Sequence, residues 1–66
     1  MKISINGEIK EFENKSLTIK DILEEMNYGK GIAVALNETF VLRDKYQETI
    51  VNSGDRLDIL SPVQGG

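Results

Sequence analysis

Alternating polar and apolar residues near both ends of the chain predict β-strands. Residues 2–6 and residues 56–60 each place an apolar side chain at every second position. This period of two is that of a strand with one buried face. Pro62 follows the second segment, and proline has no N–H for strand pairing. The last strand is therefore predicted to end close to that residue.

A β-hairpin is predicted at the start of the chain. Asn6-Gly7 follows the first strand, and both residues tolerate the positive φ angles of a type I′ turn. A second strand is predicted from about residue 8 to residue 12. Its two large apolar residues, Ile9 and Phe12, would face opposite sides of a regular strand, so we expect a bulge near residues 10–11.

One amphipathic helix is predicted after the hairpin. Thr18 is a favourable N-cap, and the Asp21 carboxylate lies three residues later, as in a capping box. The apolar residues that follow fall on one helical face: Ile19, Ile22, Leu23 and Met26. Gly29 is the predicted terminator of this helix.

The middle of the chain contains short predicted elements. Residues 32–36 form a strand in which large apolar residues alternate with alanines, and residues 40–42 form another after a turn at Asn37-Glu38. A helical turn is predicted within residues 43–49, and Ile50 and Val51 return to the core. The element order predicts an α+β roll in which one helix covers one face of a mixed sheet of four to five strands. The other sheet face is left for solvent or a partner.

Composition excludes several kinds of function. The 66 residues include no cysteine and no histidine, which excludes a thiolate metal site, a cysteine nucleophile and the commonest general base. A net charge of −3 without a Lys/Arg run argues against nucleic-acid binding. No signal peptide or membrane-spanning stretch is recognised, so we expect a soluble, cytoplasmic protein that is not a stand-alone enzyme.

The last residues are the strongest candidate for chemistry. Residues 1–60 are predicted to form the domain, and residues 61–66 a flexible tail with a full reach of about 20 Å. Gly65 and Gly66 lack side chains, so their backbone could enter a narrow cleft. Val63 and Gln64 would thread behind them and leave the Gly66 carboxylate unhindered.

The chain resembles the small sulfur-carrier proteins of bacterial thiamine biosynthesis, the ThiS family, which have the ubiquitin-like β-grasp fold. The resemblance covers nearly the whole chain. It is carried by the residues 1–6, Leu17-Thr18-Ile19 with Leu23, residues 33–37, Val41 with Arg43, Gly54-Asp55 and the terminal Gly65-Gly66. Leu42 and Tyr46 depart from the proline and tryptophan common in the family, and both are interpreted as tolerated changes in a loop at the surface.

The resemblance implies a reaction sequence in which partners supply every catalytic group. An E1-like adenylyltransferase would use ATP and Mg²⁺ to adenylate the Gly66 carboxylate. A persulfide sulfur donor would convert the adenylate to a thiocarboxylate, and thiazole synthase would take the sulfur. The chain itself would bind no cofactor and no metal.

Two exposed residues are candidate partner contacts. Leu57 and Ile59 are predicted to point inward, so Leu60 points outward beside the alanine face and could dock the activating enzyme. Arg43 is a second candidate, although a solvated loop cation is an equal interpretation.

Other functions remain open from the sequence. A sulfur carrier for molybdopterin synthesis and a ubiquitin-like modifier share the fold and the diglycine tail. A β-grasp binding adaptor without tail chemistry is a further alternative.

Overall fold

The computed structural model describes residues 1–29 and 31–61, in which a sheet packs against one helix. In chain order, the elements are β1 Lys2–Ile5, β2 Glu8–Glu11, β3 Ser16–Thr18, α1 Ile19–Glu25, β4 Ala33–Leu36, β5 Thr39–Val41, the 3₁₀ turn η1 Arg43–Lys45, β6 Ile50–Asn52 and β7 Arg56–Leu60. The order predicted from the sequence is therefore present, with β3 and β6 as additional strands.

The main sheet places the last strand at its centre. The five strands lie in the order β2-β1-β7-β4-β5. β1 and β7 are parallel, whereas β2 pairs with β1, β4 with β7 and β5 with β4 in antiparallel fashion. β3 and β6 form a separate two-stranded sheet. The predicted α+β roll with a mixed sheet is confirmed.

The core lies between one face of the main sheet and α1. Strands β1 and β7 alternate between buried and accessible residues, as the period of two in the sequence predicts. The buried residues are Ile3, Ile5, Ile19, Ile22, Leu23, Val34, Tyr46, Val51, Leu57 and Ile59. The opposite sheet face, which we call the outer face, faces away from the helix.

The helix starts where the sequence predicts. Thr18 Oγ1 accepts a hydrogen bond from the Asp21 N–H at 3.1 Å, and Asp21 Oδ2 accepts from the Thr18 N–H at 3.3 Å. These reciprocal bonds form a capping box, with aspartate in the place that glutamate usually takes.

The helix ends earlier than Gly29, so that prediction was wrong. Asn27 adopts φ 61°, and its N–H donates to the Glu24 carbonyl at 3.1 Å. The Tyr28 N–H donates to the Leu23 carbonyl at 2.9 Å, which completes a Schellman motif. Asparagine tolerates the left-handed conformation, so it ends the helix before the glycine is reached.

The first hairpin has the predicted turn but no bulge. Asn6 and Gly7 have φ angles of 52° and 86°. The register from Ile5↔Glu8 to Lys2↔Glu11 is uninterrupted, which contradicts the expected bulge. Phe12 packs against the core, while Ile9 stays 69% exposed on the outer face. One exposed isoleucine is tolerated without any distortion of the strand.

Two residues between β5 and β7 differ in burial from what the sequence predicts. Tyr46 is only 7% exposed and belongs to the core, so it is not a residue of a surface loop. Ile50 is 49% exposed whereas Val51 is fully buried, so only the second of the pair returns to the core. Adjacent strand residues point to opposite faces, and β6 therefore cannot bury both side chains.

Within residues 1–29 and 31–61, no helix is long and apolar enough to cross a membrane. The same residues contain no cluster of three or more histidine, cysteine, aspartate or glutamate side chains that could hold a metal ion.

Candidate functional site

The end of β7 determines where the C-terminal segment leaves the domain. Leu60 pairs with Ala33, the first residue of β4. On the other side of β7, the Ile59 N–H donates to Asn6 Oδ1 at 2.7 Å. The chain therefore leaves the sheet between the start of β4 and the β1–β2 turn. The predicted tail residues Val63, Gln64, Gly65 and Gly66 lie outside the described residues.

An exposed apolar surface lies beside this exit. Leu60 is 60% exposed on the outer face, as predicted, and Ala33 is its cross-strand neighbour. On the other side of β4, Phe40 pairs with Ala35 and is 70% exposed. Leu42 is equally exposed, and continuing the β4–β5 register by one residue places it opposite Ala33. We call this surface the outer patch: Ala33, Ala35, Phe40, Leu42 and Leu60.

Sequence reasoning found only part of the outer patch. It identified Leu60 and the alanines but did not include Phe40 or Leu42. The alternation of β5 contains the missing signal, because an inward Val41 requires its two neighbours to point outward. The half-buried state of Val41 and the exposure of both neighbours agree with that geometry.

Charged residues border the patch. Asp58 lies opposite Ala35, and its Oδ2 accepts a hydrogen bond from Arg56 Nε at 3.1 Å. Arg56 Nη1 also lies 3.3 Å from Glu38 Oε2. Exposed ion pairs of this kind contribute little to stability. They instead give the apolar surface a polar rim, as is common in protein–protein interfaces.

Arg43 lies on a different side of the molecule. It lines an open groove of about 390 Å³ beside α1, together with Lys20, Tyr28 and Tyr46. Leu60 points away from the helix, so the structure does not bring the two candidate contacts together on one surface. Arg43 is therefore not part of the outer patch.

The described residues carry an exposed apolar surface and no enclosed polar side chain. No polar or charged side chain among residues 1–29 and 31–61 is buried. A catalytic acid or base usually acts from a desolvated or enclosed environment. An exposed apolar surface with a polar rim suits contact with a protein partner.

Comparisons with solved structures identify the fold. The chain superposes on a crystal structure of the thiamine biosynthesis protein ThiS from Geobacter metallireducens with a TM-score of 0.88, over the whole of both chains and at 25% identity. A solution structure of a thiamine biosynthesis protein from the same organism gives a TM-score of 0.85 and covers the whole of this chain and 88% of that one. The predicted ubiquitin-like β-grasp fold is confirmed.

Sequence comparisons agree with the structural ones. The chain is 38% identical over 63 residues to the sulfur carrier protein ThiS of Thermus thermophilus, a match that covers 94% of this chain and 95% of that protein. It is also 36% identical over 67 residues to a thiazole synthase of Paramagnetospirillum magneticum. The second match covers the whole of this chain but spans only 20% of that protein.

A family model supports the same assignment as the structural resemblance and the full-length relative. The model described as the ThiS family matches residues 3–66, from the second residue of β1 through the terminal diglycine. The chain belongs to the ThiS family.

Proposed function

We propose that this protein is a sulfur carrier of thiamine biosynthesis and that the Gly66 carboxylate carries the sulfur. The observation that carries the proposal is the extent of the family match, which continues through the diglycine to residue 66. The full-length relative from Thermus thermophilus is a sulfur carrier protein, which supports the same role. The chain then acts as a co-substrate of partner enzymes.

The carboxylate must be activated before it can accept sulfur, because its delocalised charge makes it a poor electrophile. In the proposed first step, a Gly66 carboxylate oxygen attacks the α-phosphorus of ATP, and pyrophosphate leaves. An E1-like adenylyltransferase would catalyse this step and bind the ATP and Mg²⁺. The product is an acyl-adenylate at the C-terminus.

Sulfur then replaces the adenylate. The terminal sulfur of a protein persulfide attacks the acyl carbon, and AMP leaves. A thiol reductant cleaves the resulting S–S bond, which leaves a thiocarboxylate on Gly66. Thiazole synthase is the proposed acceptor of that sulfur, and a relative with that activity contains a stretch similar to this chain.

In this series of reactions, the domain binds the partner and places the tail. The outer patch offers a surface from which a partner can exclude water, with Leu60 immediately before the C-terminal segment. A partner held there receives the tail at a high effective concentration, because docking makes the second contact intramolecular. Gly65 and Gly66 keep the tail narrow and the acyl carbon accessible.

Intact mass spectrometry tests the proposed function. The protein, with Gly66 as its free C-terminus, is incubated with ATP, Mg²⁺, an E1-like adenylyltransferase, a persulfide donor and a thiol reductant. Replacement of one oxygen by sulfur is the expected change, and thiazole synthase added together with the substrates from which it builds the thiazole ring should reverse it. Attachment to lysines would indicate a ubiquitin-like modifier, and an unchanged mass would indicate a binding adaptor. A thiocarboxylate that does not react with thiazole synthase and its substrates would indicate a different sulfur pathway.

Gly66→Ala tests the steric part of the proposal. The added methyl group crowds the carbonyl under attack, so we expect AMP formation to be lost while the far-ultraviolet circular dichroism spectrum and the melting temperature remain those of the wild type. AMP formation at the wild-type rate would contradict the need for glycine at this position.

A further inference from the structure

Two turn asparagines hold opposite ends of the central strand β7. Asn37, in the β4–β5 turn, accepts a hydrogen bond through Oδ1 from the Arg56 N–H at 2.9 Å, at the first residue of β7. Asn6, in the β1–β2 turn, accepts through Oδ1 from the Ile59 N–H at 2.7 Å, near its last residue. Both asparagines have positive φ, at 51° and 52° respectively.

The Asn6 side chain takes over where the main-chain ladder stops. The Asn6 N–H donates to the Leu57 carbonyl at 3.0 Å, as a continuation of the parallel β1–β7 pairing. β1 ends at Ile5 and the chain then turns away, so the strand supplies no further main-chain acceptor to β7. Asn6 Oδ1 provides the acceptor for Ile59 instead, across 53 positions in the sequence.

We propose that Asn6 is a positioning residue that sets the direction in which the C-terminal segment leaves the sheet. The inference rests on the proposed function, since direction matters only if the tail is used. Asn6 holds Ile59 on the β1 side, and Ala33 holds Leu60 on the β4 side. These are the last strand contacts before Ser61, so the two sides together define the exit.

The consequence for the reaction is geometric. A partner that binds the outer patch must also receive the tail, and this requires the tail to leave the sheet in one direction. Without the Asn6 bond, the end of β7 is held from the β4 side alone, and residues 59–61 can swing about that contact. A smaller fraction of the free carriers would then hold the tail in the direction that docking requires, which raises the apparent dissociation constant for the partner, although the chemistry of Gly66 is unchanged.

Three variants test the role of Asn6. Asn6→Gly keeps a residue that accepts positive φ but removes the acceptor. Asn37→Gly is the control, because it removes an Oδ1 acceptor at the far end of β7 from the same type of turn, together with the bond that Asn37 Nδ2 donates to Asp55 Oδ1 at 3.2 Å. Asn6→Asp retains a carboxylate acceptor and should restore the contact.

The measurement is steady-state adenylation with the carrier as the varied substrate. For Asn6→Gly, the KM for the carrier should rise about threefold to tenfold, as expected for one lost hydrogen bond, while kcat stays unchanged. Asn37→Gly and Asn6→Asp should keep the wild-type KM. An equal rise in KM for both glycine variants would overturn the inference, because a general loss of stability would explain it, and an unchanged KM for Asn6→Gly would overturn it as well.

Amide hydrogen exchange keeps this inference separable from the proposed function. The Ile59 amide should exchange faster in Asn6→Gly than in the wild type or Asn37→Gly. Unchanged exchange at Ile59 would remove the physical basis of the positioning role. If the wild-type carrier formed no adenylate at all, the proposed function would fail, whereas the exchange measurement would still decide whether Asn6 holds the end of β7.

Discussion

At the scale of single residues, the burial of Tyr46 differs most from its interpretation in the sequence. It stands in a polar stretch between Arg43 and Thr49, yet it is 7% exposed and packs with the core. Its carbonyl also accepts a hydrogen bond from the Lys20 N–H in the first turn of α1, at 3.1 Å. Tyr46 therefore ties the segment before β6 to the helix.

We expect Tyr46→Ala to lower the free energy of unfolding by about 3 kcal/mol, because it removes a large buried aromatic side chain and leaves a cavity. Leu42→Ala is the control: that side chain is 70% exposed, and its removal should change stability by less than about 0.5 kcal/mol. Urea denaturation followed by circular dichroism measures both. Equal effects of the two variants would contradict the core assignment of Tyr46.

At the scale of elements, helix α1 shows how short-range signals compete. Both Asn27 and Gly29 are helix terminators by residue type, and the first of them in the chain ends the helix. Gly29 is then under no conformational constraint that requires glycine, because its φ lies outside the left-handed region and an added Cβ would meet nothing within 4 Å. The helix therefore depends on Asn27 at its end and on Thr18 at its start.

Substitution by alanine should separate the two candidate terminators. Asn27→Ala forces a residue with a Cβ and no polar group into φ 61°, and we expect it to lower the free energy of unfolding by about 1 kcal/mol. Gly29→Ala should leave stability unchanged or raise it slightly, because it restricts the unfolded chain without a clash. Thermal denaturation measures both, and the opposite ranking would restore Gly29 as the terminator.

At the scale of the whole molecule, the two faces of the main sheet have different roles. The face toward α1 carries the residues that stabilise the domain, and the outer face carries the exposed apolar patch. Leu60 lies at the meeting point of this patch and the C-terminal segment. A partner that recognises the patch therefore binds next to Leu60, the last residue of β7.

A charged residue in the outer patch should weaken partner binding without unfolding the domain. We expect Leu60→Asp to reduce affinity for the activating enzyme about tenfold or more, since it puts an unpaired charge into an apolar contact. Ile9→Asp is the matched control, because Ile9 is 69% exposed on the same face but lies on β2, at the far edge of the sheet. Isothermal titration calorimetry measures the affinity, and equal binding by the two variants would remove the outer patch as the docking surface.

The sequence by itself determined the elements whose signals lie within a few residues. The bounds of β7, the capping box at Thr18 and the positive φ of Asn6-Gly7 follow from neighbouring residues, and the structure confirms all three. The alternation of β7 also determined which side chains are buried and that Leu60 is exposed. The diglycine gave the candidate for chemistry, and it lies outside the described residues.

The tertiary structure alone decided what depends on distant pairing. β3 exists because Ser16–Thr18 pairs with Ile50–Asn52, more than thirty positions later, and no local pattern predicts it. The uninterrupted β1–β2 register left Ile9 exposed, and the contact of Asn6 with Ile59 required β7 to lie beside β1. Sequence patterns act over one turn or one strand, whereas these features arise only when packing of the core brings remote segments together.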